Sequence, residues 1–170
     1  MPSLLPETTG ATISACGRYR YRLWRIWDES KPYCLFLMLN PSTADDIDND
    51  ATVERCQRRA AAMGYGGLHV ANLFAWRSTD PSVLASVADP IGPDNDKTIL
   101  AVAKAAGIVI YGWGKDGAIQ RRGAAVLALL AAAGVQPYAL KCNLDGSPKH
   151  PLYVAYKELP KPFPLVSLER

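Results

Sequence analysis

A few polar residues in this sequence stand where apolar runs leave off, and their side chains suit a small polar ligand. The run from Tyr33 to Leu39 ends on Asn40-Pro41-Ser42. A second run, 68–74, carries Asn72 among apolar neighbours. Lys149 and His150 follow a Gly-Ser-Pro stretch. A carboxamide presents donors and acceptors on one plane, an imidazole donates or accepts, and an ammonium suits a phosphate. Each position also has a plain structural alternative. Asn-Pro is a turn dipeptide, a buried asparagine can be satisfied by neighbouring backbone, and His150 can be a lone surface histidine. Asp46, Asp48 and Asp50 have the alternate spacing of a calcium loop, but Ala51 and Gln57 stand where that loop needs glycine and a bidentate glutamate. No metal is expected here. Asp50 reads as the N-cap of the following helix; a surrogate general base at Asp45 or Asp46, near Asn40, is the lesser alternative to plain loop carboxylates.

The elements that must position these groups follow from hydropathy patterning. Residues 18–27 alternate basic with aromatic or aliphatic residues, as a half-buried strand does. Then come an apolar strand at 33–39, a helix at 51–63 stopped by Gly-Tyr-Gly-Gly, and a strand at 68–74. A loop with a short helix leads to a helix at 96–107, a strand at 108–114, a helix at 118–134 and a strand at 136–142. Continuously apolar strands alternating with helices imply a parallel sheet covered on both faces. The expected architecture is α/β: a three-layer α/β/α domain around a four-stranded parallel sheet. One domain spans 1–170, with a strand region at 18–27, a core at 33–155 and a Pro-rich tail at 156–170. In such sheets ligands bind beyond the carboxyl ends of the strands. Asn40 and Ser42, Asn72, Gly112–Lys115, Asn143, Lys149 and His150 all fall there.

With 170 residues, 49% of them hydrophobic, the chain is long enough for one proper core and is not a disordered protein. No run approaches the ~20 apolar residues of a membrane helix, and the N-terminus lacks the pattern of a secretory signal. The four cysteines form no CxxC pair, which reads as free thiols in a reducing cytoplasm and argues against zinc or an iron–sulfur cluster. The chain is read as a monomer. The net charge of +3 permits an anionic partner without demanding one. The arginines of "RYRYRLWRIW" (18–27) and "ERCQRR" (54–59), with Lys141 and Lys149, are candidates for a positive face. Solvated surface charge is the alternative.

Taken in order, the strand ends resemble the uracil-DNA glycosylase superfamily. "MLNPS" (38–42) resembles its GxNPG motif, with Met38 and Ser42 in place of the glycines. "HVANLFAW" (69–76) resembles its LLLNxxLT strand, "VIYGWGKDGA" (109–118) its LLWGxxA segment, and "KHPLY" (149–153) its HPSP loop, with Leu152 and Tyr153 departing. The whole chain also resembles the DUF1643 family through "LNPSTAD", "GYGG", "NLFAWRSTDP", "GPDND" and "HPLY".

The first resemblance implies a uracil-DNA glycosylase-like fold and a monofunctional DNA glycosylase. It would hydrolyse the N-glycosidic bond of uracil or a modified pyrimidine flipped from single- or double-stranded DNA, without metal or cofactor. It implies catalytic roles for Asn40, holding the attacking water, and His150, donating to the base O2. Asn72 would read the base edge, Phe74 would stack on it and Ser42 would assist, while Lys149 and Arg22 would bind phosphate. Two rivals stand beside this expectation. One is a hydrolase of free nucleotides or other N-glycosides, since the charge is modest and no wedge loop is evident. The other is a non-enzymatic nucleic-acid or base-binding module.

Overall fold

A computed structural model describes residues 8–164. The strands are β1 (Thr8–Ile13), β2 (Arg20–Ile26), β3 (Tyr33–Met38), β4 (Gly67–Asn72), β5 (Ile108–Tyr111), β6 (Pro137–Ala139) and β7 (Lys161–Pro162). The helices are α1 (Ala51–Ala62), α2 (Asn95–Ala105) and α3 (Arg122–Ala132). The strands form one mixed sheet in the order β1-β2-β4-β3-β5-β6-β7.

The expected four-stranded parallel sheet is therefore a correction in part. β4, β3, β5 and β6 are mutually parallel, as their apolar runs imply. Antiparallel strands extend them on both sides: β2 and then β1 beyond β4, and β7 beyond β6. The two outermost strands are short or polar, so they carry no buried run by which to recognise them. β7 falls inside the segment expected to be a Pro-rich tail, and residues 165–170 of that segment lie outside the described residues, as do residues 1–7.

The inner strands alternate between two cores. Leu35, Leu37 and Leu39 pack with Ile99 and Val102 of α2 and Val126 and Leu130 of α3. Cys34, Phe36 and Met38 pack with Val53, Cys56 and Ala60 of α1. Helices thus cover both sheet faces. The last helix begins later than its hydropathy suggests. Residues 115–121 form a 3₁₀ segment, and Gln120 and Arg121 take left-handed φ values of 53° and 54°, which break the helix before Arg122.

β2 contains one irregularity that matters for the site. Thr12 pairs with Arg22, but Ile13 pairs with Arg20, so Tyr21 is an extra residue. Such a bulge re-aims the flanking side chain. Arg22 lies over the Trp24 ring at 4.7 Å, with its Nε donating to Thr12 Oγ1 at 3.3 Å. Arg20 instead turns inward and is 2% exposed.

The arginines expected to form a positive face are mostly structural. Arg25, 1% exposed, donates to the Asp45 carbonyl at 2.8 Å, the Asp46 carbonyl at 3.3 Å and Asn49 Oδ1 at 3.0 Å. Its guanidinium is the internal cation of the 45–49 loop. Arg59 donates to the carbonyls of Val154, Ala155 and Glu158 at 2.7, 2.9 and 3.1 Å. Arg55 donates to Pro151 and Val154 at 3.0 and 2.6 Å. Two arginines of α1 therefore clamp the segment that follows His150.

Candidate functional site

β3 lies at the point where the strand order reverses, with β4 on one side and β5 on the other. Chain connections diverge there and leave a crevice beyond the strand ends. Two adjoining clefts occupy that edge. The smaller, about 160 Å³, has Met38, Val70 and Val53 as apolar walls and Asn40, Asn72 and His150 among its polar groups. The larger, about 610 Å³, runs past Trp113, Lys115, Asn143, Lys149 and Tyr153. Asn40, Thr52 and His150 line both.

Asn40 follows β3 and is half-buried. Its Nδ2 donates to the Ser78 carbonyl at 2.8 Å and the Pro41 carbonyl at 3.2 Å. Both amide protons are thereby engaged by backbone, which orients the carboxamide. Its Oδ1 accepts no hydrogen bond from the described residues, and Asn40 lines both clefts.

Asn72 is the last residue of β4 and is 2% exposed. Its side chain shares the cleft with Met38 and Val70. The buried Oδ1 has no donor among the described residues. A core asparagine in that state carries a cost. Asn95 Nδ2 donates to the backbone carbonyls of Asn72 and Leu73, both at 2.9 Å, and so holds this strand end in place.

His150 is carried by the loop after β6. Gly114 N donates to the Pro148 carbonyl, and Lys149 N to the Lys141 carbonyl, each at 2.8 Å. Gly112 allows Pro151 to pack close, because a Cβ there would sit 2.8 Å from Pro151 Cδ. Leu152 N donates to His150 Nδ1 at 3.2 Å. Nδ1 is therefore the acceptor, and the neutral ring carries its proton on Nε2. Burial holds the His150 pKa below its ordinary value, with Asp50 opposing. The imidazole is neutral near pH 7 and offers an N–H donor.

Ser42 also lines the smaller cleft, but its hydroxyl donates to Asp50 Oδ2 at 2.9 Å. Asp50 Oδ1 accepts from Val53 N at 2.8 Å, which makes Asp50 the cap of α1 as the sequence implied. The same carboxylate lines the smaller cleft with Asn40 and His150. Asp45, by contrast, turns its Oδ1 to the backbone N–H groups of Ile47 and Asp48 at 2.9 and 2.7 Å. Neither Asp45 nor Asp46 lines either cleft. The carboxylate at the smaller cleft is therefore that of Asp50 rather than Asp45 or Asp46, and its capping spacing had accounted for it in full at the level of sequence.

Two further expectations are corrected. Phe74 is fully buried in the core beneath α2 and α3, so it offers no stacking surface. β4 ends at Asn72, and the chain beyond it turns Leu73 and Phe74 away from the cleft. The rings at the larger cleft are Trp113, 2% exposed, and Tyr153, 72% exposed. Arg22 lines neither cleft and is engaged with Thr12 and Trp24. Lys149 does line the larger one, together with Lys115. Arg20 is the residue that sequence reasoning passed over. It entered only as one of a row of arginines, and its place in the smaller cleft depends on the Tyr21 bulge.

Among the described residues, no group of three or more His, Cys, Asp and Glu side chains is arranged to hold a metal ion. No helix of the described residues is long and apolar enough to cross a membrane. No curated protein and no solved structure matches the chain, so the likeness to uracil-DNA glycosylases rests on its four short motifs. Residues 20–152, which hold β2 through His150 and every cleft residue named above except Tyr153, match the model of DUF1643, described as a protein of unknown function, and the chain belongs to that family.

Proposed function

We propose that the chain hydrolyses the N-glycosidic bond of a uracil-type pyrimidine, with the base seated in the smaller cleft and the sugar and phosphate in the larger. The observation that carries this reading is the Asn72 carboxamide, which is buried at the smaller cleft and whose Oδ1 has no hydrogen-bond donor among the described residues. Its carbonyl suits the N3–H of such a base and its NH₂ the adjoining carbonyl. His150, which lines both clefts, offers its Nε2–H as a neutral donor. Asn40 Oδ1, oriented by its two amide hydrogen bonds, holds the attacking water. An amide is not a useful base, so the Asp50 carboxylate takes the proton from that water and stabilises the cationic sugar through charge.

C1′–N1 breaks and its electron pair stays on the base. The water oxygen bonds to C1′, and the proton it sheds reaches the base through Asp50 or solvent.

DNA carrying uracil or a modified pyrimidine is the first substrate class. A free nucleotide is the second reading, favoured by one observation: Arg25, Arg55 and Arg59 are committed to internal carbonyls, which leaves Lys115 and Lys149 as the cations of the larger cleft. The test offers oligonucleotides containing uracil, hydroxymethyluracil, a thymine mismatch or hypoxanthine, and in parallel the free deoxynucleotides. Abasic-site cleavage and released base are the readouts. Release from oligonucleotides alone supports DNA as substrate, and release from nucleotides alone supports the second reading. Binding of base without release from any substrate would leave a base-binding module and reject the hydrolase.

A further inference from the structure

The arginines buried in this protein are not equally satisfied. Arg25 and Arg59 each donate to several carbonyls, and Arg122 donates to the Leu73 carbonyl at 2.7 Å and pairs with Asp96. Arg20 is as deeply placed, at 2% exposed, yet it makes one side-chain hydrogen bond, Nη1 to the Ala44 carbonyl at 2.8 Å. Its buried Nε has no acceptor, and no carboxylate of the described residues lies within ion-pair distance. Asp50 lines the same cleft, but its oxygens already take Ser42 Oγ and Val53 N. Asp50 acts on Arg20 through charge from a distance and not through a direct pair, and a buried guanidinium whose Nε lacks an acceptor is costly.

Arg20, next to the Tyr21 bulge, lines the smaller cleft together with Asn72, whose buried Oδ1 also has no partner among the described residues. One under-satisfied cationic donor and one amide therefore share a cavity with apolar walls. We infer that Arg20 donates to a carbonyl oxygen of the bound base and takes up the negative charge that develops there as the glycosidic bond breaks. This rests on the proposed hydrolysis and adds a substrate requirement to it. Arginine has donors only, so the base must present an acceptor to it. A base bearing carbonyls at both C2 and C4 and released as an anion meets that need. One bearing an exocyclic amine at the Arg20 side places donor against donor. Burial lowers the Arg20 pKa to about 10, which still leaves it cationic near neutral pH.

The experiment compares wild type with Arg20→Gln and Arg20→Lys on oligonucleotides and nucleotides carrying uracil or 5-fluorouracil. The ring fluorine makes the departing base more acidic and less dependent on help. Arg20→Gln is expected to lose ~10²–10³-fold in kcat/KM on uracil, markedly less on 5-fluorouracil, with Arg20→Lys intermediate. Equal losses on both bases, or no loss, overturn the inference and return Arg20 to a supporting role for the 41–44 loop. A second readout is independent of turnover: calorimetric binding of free uracil to wild type and Arg20→Lys across the pH at which the base ionises. Wild type should bind the anion more tightly than the neutral base, and Arg20→Lys should keep part of that preference. If no substrate is turned over but this preference is found, the hydrolase reading fails and Arg20 stands as an anion-recognising residue. If wild type shows no preference for the anion, the inference about Arg20 fails whatever the turnover.

Discussion

Asn72→Leu separates a ligand-reading asparagine from a structural one by its effect on stability. Leucine has nearly the shape of asparagine and removes both polar atoms. In an ordinary buried asparagine this breaks hydrogen bonds and costs ~1–3 kcal/mol. Asn72 differs, because its buried Oδ1 has no donor among the described residues and the residue lines the cleft with Met38 and Val70. Removing an unpaired buried acceptor is neutral or favourable, so the variant should match wild type or exceed it by up to ~2 kcal/mol. For a chain of this size that is a rise of ~2–4 °C in Tm per kcal/mol. Base binding should meanwhile weaken by ~1–3 kcal/mol, about ten- to a hundredfold. Asn95→Leu is the control. It strips the Asn72 and Leu73 carbonyls of their 2.9 Å donors and should destabilise by ~1–3 kcal/mol. Urea titrations of the three proteins, with uracil binding by calorimetry, decide the matter. A loss of more than ~1 kcal/mol for Asn72→Leu, or unchanged base binding, would refute the reasoning and place Asn72 with the core.

The remaining predictions concern the frame around the site. Arg59→Ala removes the donor to three carbonyls of the 154–158 segment and should lower stability by at least ~2 kcal/mol in denaturant melts; a loss under ~0.5 kcal/mol would mean the clamp is dispensable. His69 is pushed down to about 4 by burial and then by Arg22. Its folded pKa lies below the ordinary 6.5, so the unfolded chain binds the proton first, and stability should fall by ~3 kcal/mol as pH drops from 6.5 towards 4. Melts of His69→Phe, which keeps a ring against Tyr33 3.9 Å away, should show that acid loss abolished. Binding of single-stranded DNA should depend weakly on salt, with a log–log slope of about −1.5 for contacts by Lys115 and Lys149. A slope near −5 in filter-binding titrations would mean that arginines assigned to internal carbonyls are reaching phosphates instead.

The parallel centre of the fold and the rim of the site are legible in the amino-acid pattern alone. Runs such as Tyr33–Met38 are apolar on both faces, and only a strand covered on both sides uses such a run. The polar residues that end them, Asn40 and Asn72, then fall at one sheet edge, and the geometry brings both into one cleft with His150. The tertiary structure decided everything that depends on a distant partner. Charge in "RYRYRLWRIW" is visible in the sequence, but whether an arginine meets solvent, a carbonyl or a cavity depends on which loop folds against it. Arg25 finds the Asp45 and Asp46 carbonyls, Arg22 finds Trp24, and Arg20, displaced by one extra residue in β2, finds the cleft. Phe74 shows the same limit. Two positions after Asn72 it would share its face on a continuing strand, but β4 stops and the ring turns into the opposite core. β1 and β7 were hidden because an edge strand of short or polar residues is held by backbone pairing to its neighbour, and backbone groups are the same in every residue.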